Sequence, residues 1–136
     1  MTTARIVDAD GHIMEPANLW IENLESRFKK RAMCMRTDND GLEYLQIDGK
    51  KSRVLNGGQL GSLGLLDEAI APRRTETFTP GLLDFEDCTP PAAVDPHARI
   101  EWMDEQGIDI TVLYPSLGLN WQSECEDTAL AAAHCR

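Results

Sequence analysis

The stretch from Asp95 to Pro115 carries a helix with both ends marked and, directly after it, a strand. Asp95 suits the N-cap, because a short carboxylate accepts from the orphan N–H groups of a first helical turn. Pro96 follows at the first helical position, where its missing N–H has no partner to lose. His97–Gln106 then sets Ile100 and Met103 on one face, and Gly107 can adopt the left-handed conformation that closes a helix. Ile108-Asp109-Ile110-Thr111-Val112-Leu113-Tyr114-Pro115 is apolar and β-branched, the pattern of a strand buried on both faces. A capped helix, a glycine and such a strand form half of a βα repeat, so the fold class is α/β with a parallel sheet.

A second strand opens the chain. Arg5-Ile6-Val7-Asp8-Ala9-Asp10-Gly11-His12-Ile13-Met14-Glu15-Pro16 begins with a short apolar run and then places acid, acid and histidine at every second position. In an extended Ile6–His12 segment Asp8, Asp10 and His12 point the same way, since residues i, i+2 and i+4 share a face. Neighbours in that row lie about 6.6 Å apart, close enough for Asp10 and His12 to converge on one ion at ~2 Å from each donor. Glu15-Pro16 ends the strand, because proline fixes its own φ and restricts the residue before it. Acid-x-His at the carboxyl end of a buried strand is a natural place for chemistry in α/β proteins.

Between these strands the pattern is looser. Ala17–Leu24 reads as a short helix packing through Leu19, Trp20 and Leu24, with Pro16 in its first turn. Arg27, Lys29, Lys30 and Arg31 form a small basic cluster, read as a solvated helix face. Asp38-Asn39-Asp40-Gly41 is a turn, Leu42–Ile47 a strand, and Asp48-Gly49 a hairpin turn that brings back Ser52–Leu55 as the partner strand. Gly57-Gly58-Gln59-Leu60-Gly61-Ser62-Leu63-Gly64 matches neither phosphate-loop spacing and reads as a flexible loop near a site. Pro72 to Pro96 reads as a long irregular loop. Near the end Ser123-Glu124-Cys125-Glu126 is a capping box with Ser123 as N-cap, and the helix runs on to Arg136.

Composition excludes several classes. Thirteen Lys and Arg against 23 Asp and Glu leave a net charge of −10, which argues against nucleic acid or an anionic membrane as partner. No apolar run reaches the ~18 residues of a membrane span, and with Met1–Arg5 leading straight into the strand no signal peptide is expected. Cys34, Cys88, Cys125 and Cys135 form no C-x-x-C pair, as expected of a reduced cytoplasmic protein. A metal site at Cys125, His134 and Cys135 lacks the spacing of a zinc knuckle. The last residues run as helix with no C-cap, and two parallel strands cannot close a barrel. The 136 residues are therefore expected to be the first portion of a longer domain.

Three segments together resemble the amidohydrolase superfamily, in particular its amidohydrolase-2 branch of aminocarboxymuconate-semialdehyde decarboxylase-like proteins. They are Val7–Pro16 with Leu19-Trp20, Asp95–Asp109, and Val112-Leu113-Tyr114-Pro115-Ser116. The resemblance implies the N-terminal part of a (β/α)8 TIM barrel, here with an inserted β-hairpin and long loops. It implies a divalent metal, zinc or manganese, with Asp10 in the first ligand place and His12 in the second. Asp8 matches the family's non-ligating aspartate. Glu15, Ser116 and Asn120 are candidates for substrate-binding or loop roles. The other family ligands would lie beyond Arg136, since His97 and His134 fall in helices.

The activity so implied is decarboxylation of an aromatic or unsaturated acid, with hydrolysis of an amide, ester or lactone as the alternative. Either reading takes a small-molecule carboxylate or carbonyl substrate, and either is compatible with a homo-oligomer. Ile6-Val7-Asp8-Ala9-Asp10-Gly11 also resembles the opening strand of haloacid-dehalogenase-type phosphatases, with Asp8 as nucleophile. Against this, His12 stands where that family has threonine. A third alternative is an inactive fragment or binding module. Such a partial barrel would expose strand edges and apolar helix faces.

Overall fold

A computed structural model describes residues 5–58, 60–64, 84–119 and 121–136. In chain order the elements are β1 (Val7–Ile13), α1 (Leu19–Asn23), β2 (Cys34–Thr37), β3 (Glu43–Ile47), β4 (Lys50–Lys51), α2 (Pro91–Val94), α3 (Pro96–Gln106), β5 (Ile110–Pro115) and α4 (Thr128–His134). Short 3-10 turns occupy Lys29–Arg31, Leu60–Gly64, Leu117–Leu119 and Trp121–Ser123. The fold is mixed α/β: β1 and β5 pair in parallel, and β2, β3 and β4 form an antiparallel meander.

The parallel pair is joined through α2 and α3, and the caps of α3 are those expected from its sequence. The Asp95 carboxylate accepts from the N–H groups of His97 and Ala98, and Gly107 closes the helix at φ 70°. The chain then turns at once into β5, with the Asp109 carboxylate accepting from Ile6 N–H at 2.8 Å to start the ladder.

The register within that ladder changes the expected layout of the acids. Val7 faces Ile110 and Asp8 faces Thr111, then the pairing slips and resumes at Gly11–Leu113, His12–Tyr114 and Ile13–Pro115. Three steps along β1, Asp8 to Gly11, match two along β5, Thr111 to Leu113, so β1 holds one extra residue. This is a β-bulge, and it shifts the alternation of every residue beyond it. Asp8 therefore shares a face with Gly11 and Ile13, while His12 lies on the opposite face with Val7. The expectation that Asp8, Asp10 and His12 share one face is overturned. Asp8 instead accepts from the Thr111 hydroxyl at 3.0 Å and from Asp10 N–H at 3.1 Å. Gly11 is fitted to this arrangement, because a Cβ there would lie 2.3 Å from Thr111 Oγ1 and 2.9 Å from Asp8 Oδ2.

β5 is not buried as its composition predicts. Ile110, Val112, Leu113 and Tyr114 are all exposed, as is Val7 on β1. A parallel strand is buried only when both faces are covered. Among the described residues α2 and α3 overlie one face across an open cleft lined by Ile13, Thr111 and Leu113, and α3 buries no residue.

The hydrophobic core sits beside this sheet. Trp20 and Leu24 of the α1 region, Phe28, Met33, Leu45, Ile47, Leu60, Phe85, Leu117, Trp121 and Leu130 pack as one cluster, with Met14 just past the end of β1. Asp48 at φ 50° and Gly49 at φ 74° form the expected hairpin turn, both in the left-handed region. The return strand is not Ser52–Leu55 but the two residues before it. It covers Lys50–Lys51, because the Ser52 hydroxyl accepts from the N–H groups of Val54 and Leu55 and turns the chain away. The meander also gains β2 on its other edge. Cys34–Thr37 shows no alternation that would announce it, and it is ordered by pairing with Glu43–Gln46.

Other local expectations are corrected in the same way. The last helix begins at Thr128 with Asp127 as N-cap, accepting from Ala129 and Leu130 N–H, whereas Ser123 ends a 3-10 turn. Pro91–Val94 is helical inside the expected irregular loop, of which residues 72–83 lie outside the described residues. In the glycine-rich stretch, Leu60–Gly64 forms a 3-10 turn, and Gln59 lies outside the described residues. The basic cluster is not one solvated face: Arg31 bridges Asp48 at 2.5 Å and Asp127 at 2.8 Å, tying the hairpin turn to α4. Its guanidinium holds both carboxyls below their ordinary range. Cys34, Cys125 and Cys135 form no disulfide among the described residues, and no helix among them is long and apolar enough to cross a membrane.

His134 illustrates how this core uses a polar group. Nε2 accepts from Met33 N–H at 2.9 Å, Nδ1 faces the Leu130 carbonyl at 2.9 Å, and the rings of Trp20 and Trp121 flank it. One nitrogen must accept and the other donate, which only the neutral ring can do. Burial accordingly lowers its pKa from 6.5. The unfolded chain then binds a proton that the folded chain refuses. Stability should therefore rise with pH between that lowered value and the ordinary His value of about 6.5, and be lost as pH falls through the same window. Urea unfolding across this range checks it, and His134→Gln should flatten the slope there.

Candidate metal centre

His12 and Asp10 come together at the carboxyl end of the parallel pair. His12 Nε2 lies 3.8 Å from Asp10 Oδ1. Two donors on one tetrahedral ion, each about 2.1 Å from it, stand about 3.4 Å apart, so a small side-chain rotation brings both onto a common ion. The Asp10 side chain is 89% exposed, and nothing among the described residues holds it elsewhere.

The histidine is held on three sides. Nδ1 lies 3.1 Å from the Pro115 carbonyl and 3.3 Å from Ser116 Oγ. A carbonyl oxygen can only accept, so Nδ1 carries a proton, and in the neutral ring the lone pair is then on Nε2, the nitrogen on the Asp10 side. Donation of the far ring N–H to a backbone carbonyl is how ligating histidines are commonly oriented. The His12 carbonyl accepts from the Arg99 guanidinium of α3, which fixes the backbone, and the Tyr114 ring stands 6.2 Å from the imidazole.

Glu15 and Ser116 fall in the loop beneath. The Glu15 carboxylate is buried and accepts three backbone N–H groups: Ser116 at 3.1 Å, Leu117 at 2.9 Å and Gly118 at 2.8 Å. It is thereby fully engaged with the protein rather than turned to a substrate. Asn120 lies outside the described residues. Neither helical histidine joins the site: His97 is in the first turn of α3, and His134 is in the core. His134 also has both nitrogens engaged, which removes it from any site with Cys125 and Cys135.

A carboxylate with an imidazole suits zinc or manganese in type. In number the fit is partial. Among the described residues no three His, Cys, Asp or Glu side chains gather closely enough to hold an ion. Asp10 and His12 alone would furnish two positions of a coordination shell that needs at least three from protein.

No protein-family model matches the chain, and no curated protein does. Among solved structures it is similar to an amidohydrolase from Mycobacterium avium subsp. paratuberculosis K-10, with 21% identity and a TM-score of 0.63. The match covers 98% of this chain and 36% of that one, so the chain spans about a third of the length of that amidohydrolase. The α/β fold described above is therefore similar to that of part of that amidohydrolase.

Proposed function

We propose that the chain forms the opening portion of a (β/α)8 barrel in a metal-dependent enzyme of the amidohydrolase superfamily. The observation that carries the reading is the pair itself. His12 Nε2 and Asp10 Oδ1 lie 3.8 Å apart at a strand end, with Nδ1 already committed to Pro115. A divalent ion, zinc or manganese, bound there would supply Lewis acidity toward a carboxylate or carbonyl substrate. Asp10 and His12 would hold it together with donors from outside the described residues. Pro115 and Ser116 keep the imidazole in its binding tautomer, and Arg99 keeps the His12 backbone in place.

The aspartate in the first ligand place favours decarboxylation of an aromatic or unsaturated acid, within the amidohydrolase-2 branch. Hydrolysis of an amide, ester or lactone is the second reading, favoured by the name of the structural neighbour, an amidohydrolase. The phosphatase alternative loses its footing. Its two aspartates must serve one site, whereas the bulge turns Asp8 away from His12 and ties it to Thr111.

In the full-length protein Asp10→Ala and His12→Ala should each lose bound metal and turnover together. Metal content by mass spectrometry and a decarboxylation assay on a panel of aromatic acids give the two readouts. Full metal occupancy in either variant would sink the assignment.

A further inference from the structure

We propose that Glu15 is the positioning residue of this centre, setting the tautomer and aim of His12 without touching it. The proposal rests on the reading of His12 as a ligand. The path is short. Glu15 follows His12 by three residues, crosses beneath the end of β5 and gathers the N–H groups of Ser116, Leu117 and Gly118 onto one buried carboxylate. Those three donors open the Leu117–Leu119 turn, so the carboxylate determines where β5 stops and which way its last groups face. The groups immediately before that turn are the Pro115 carbonyl and the Ser116 hydroxyl, the two partners of His12 Nδ1.

An independent observation supports the same link. Gly118 leaves the space that the carboxylate needs: a Cβ there would lie 2.9 Å from Glu15 Oε1 and 3.0 Å from the Pro115 Cβ. A methyl group on Gly118 therefore presses on both ends of the path at once, while Glu15 keeps its charge.

The test is the His12 tautomer, read in metal-free full-length protein labelled with 15N-histidine. Long-range 1H–15N spectra are recorded well above the ordinary His pKa of about 6.5, with His12→Gln identifying the signal. The wild type should show the Nδ1–H form alone. Glu15→Gln keeps the volume but turns an amide N–H toward backbone donors, and should give a mixture of the two tautomers. Gly118→Ala should do the same, and it decides the matter alone if Glu15→Gln fails to fold. Zinc affinity, measured by chelator competition, should fall ten- to a hundredfold in both variants, the usual effect of losing a group that orients a ligand. A pure Nδ1–H signal retained in the folded variants would overturn the proposal. Unchanged zinc affinity in Asp10→Ala would overturn the metal reading instead, with the tautomer result still deciding the role of Glu15.

Discussion

Replacing Glu15 with alanine should destabilise the protein by roughly 3–5 kcal/mol, because each buried donor left without a partner costs about 1–3 kcal/mol. Three backbone N–H groups depend on this one side chain, at 2.8 to 3.1 Å. Leu117, the middle one, is completely buried, and Ser116 is 7% exposed, so water has little access to replace the carboxylate. The losses do not sum in full, since the turn can open partway and let water in. Urea unfolding of the full-length protein measures the effect. A loss under about 1 kcal/mol would mean that the donors find other partners.

The second large effect is expected at Leu130. Leu130→Ala should cost about 2–5 kcal/mol through lost burial and the cavity left behind. Leu130 is fully buried and lies on α4, whose inner face meets the cluster formed by Trp20, Met33, Leu45 and Trp121. Besides Leu130, α4 is held by buried Ala133 with Ala131 packed beside the cluster, by the Asp127 cap with its Arg31 bridge, and by the His134 bonds. Leu130→Met keeps the volume and should cost less than ~1.5 kcal/mol. The contrast between the two variants is the check. Equal losses would mean that this part of the core is not closely packed.

What could be read from the sequence was what the chain decides locally. Asp95, Pro96 and Gly107 mark the ends of α3 because capping and left-handed closure involve neighbours only a few residues away. Asp48-Gly49 announces its turn for the same reason. The pairing of Asp10 with His12 was legible too, since both lie on one short segment. The face taken by Asp8 was not. It depends on a slip against β5, a hundred residues downstream in sequence, and nothing in Val7–Ile13 marks where an extra residue will be accommodated. Glu15 was visible only as an acid before a proline. Its three donors come from the far strand end, and only the fold brings them together. The start of α4 went astray because Ser123-x-x-Glu126 and Asp127 offer competing caps. The carboxylate of Asp127 also gains Arg31, a partner invisible to any local pattern.

The bulge in β1 makes the spacing of this strand matter more than its composition. The sheet meets the segment from Val7 to Ile13 as two half-strands out of phase, the first presenting Asp8 to the helix side and the second presenting His12 to the other. Exchanging one side chain leaves that phase alone. Removing or adding one residue between Asp8 and Gly11 reassigns every side chain on one half relative to the other. A substitution at exposed Ala9 therefore leaves the phase of the strand unchanged, whereas insertion or deletion there is the change this strand is least able to absorb.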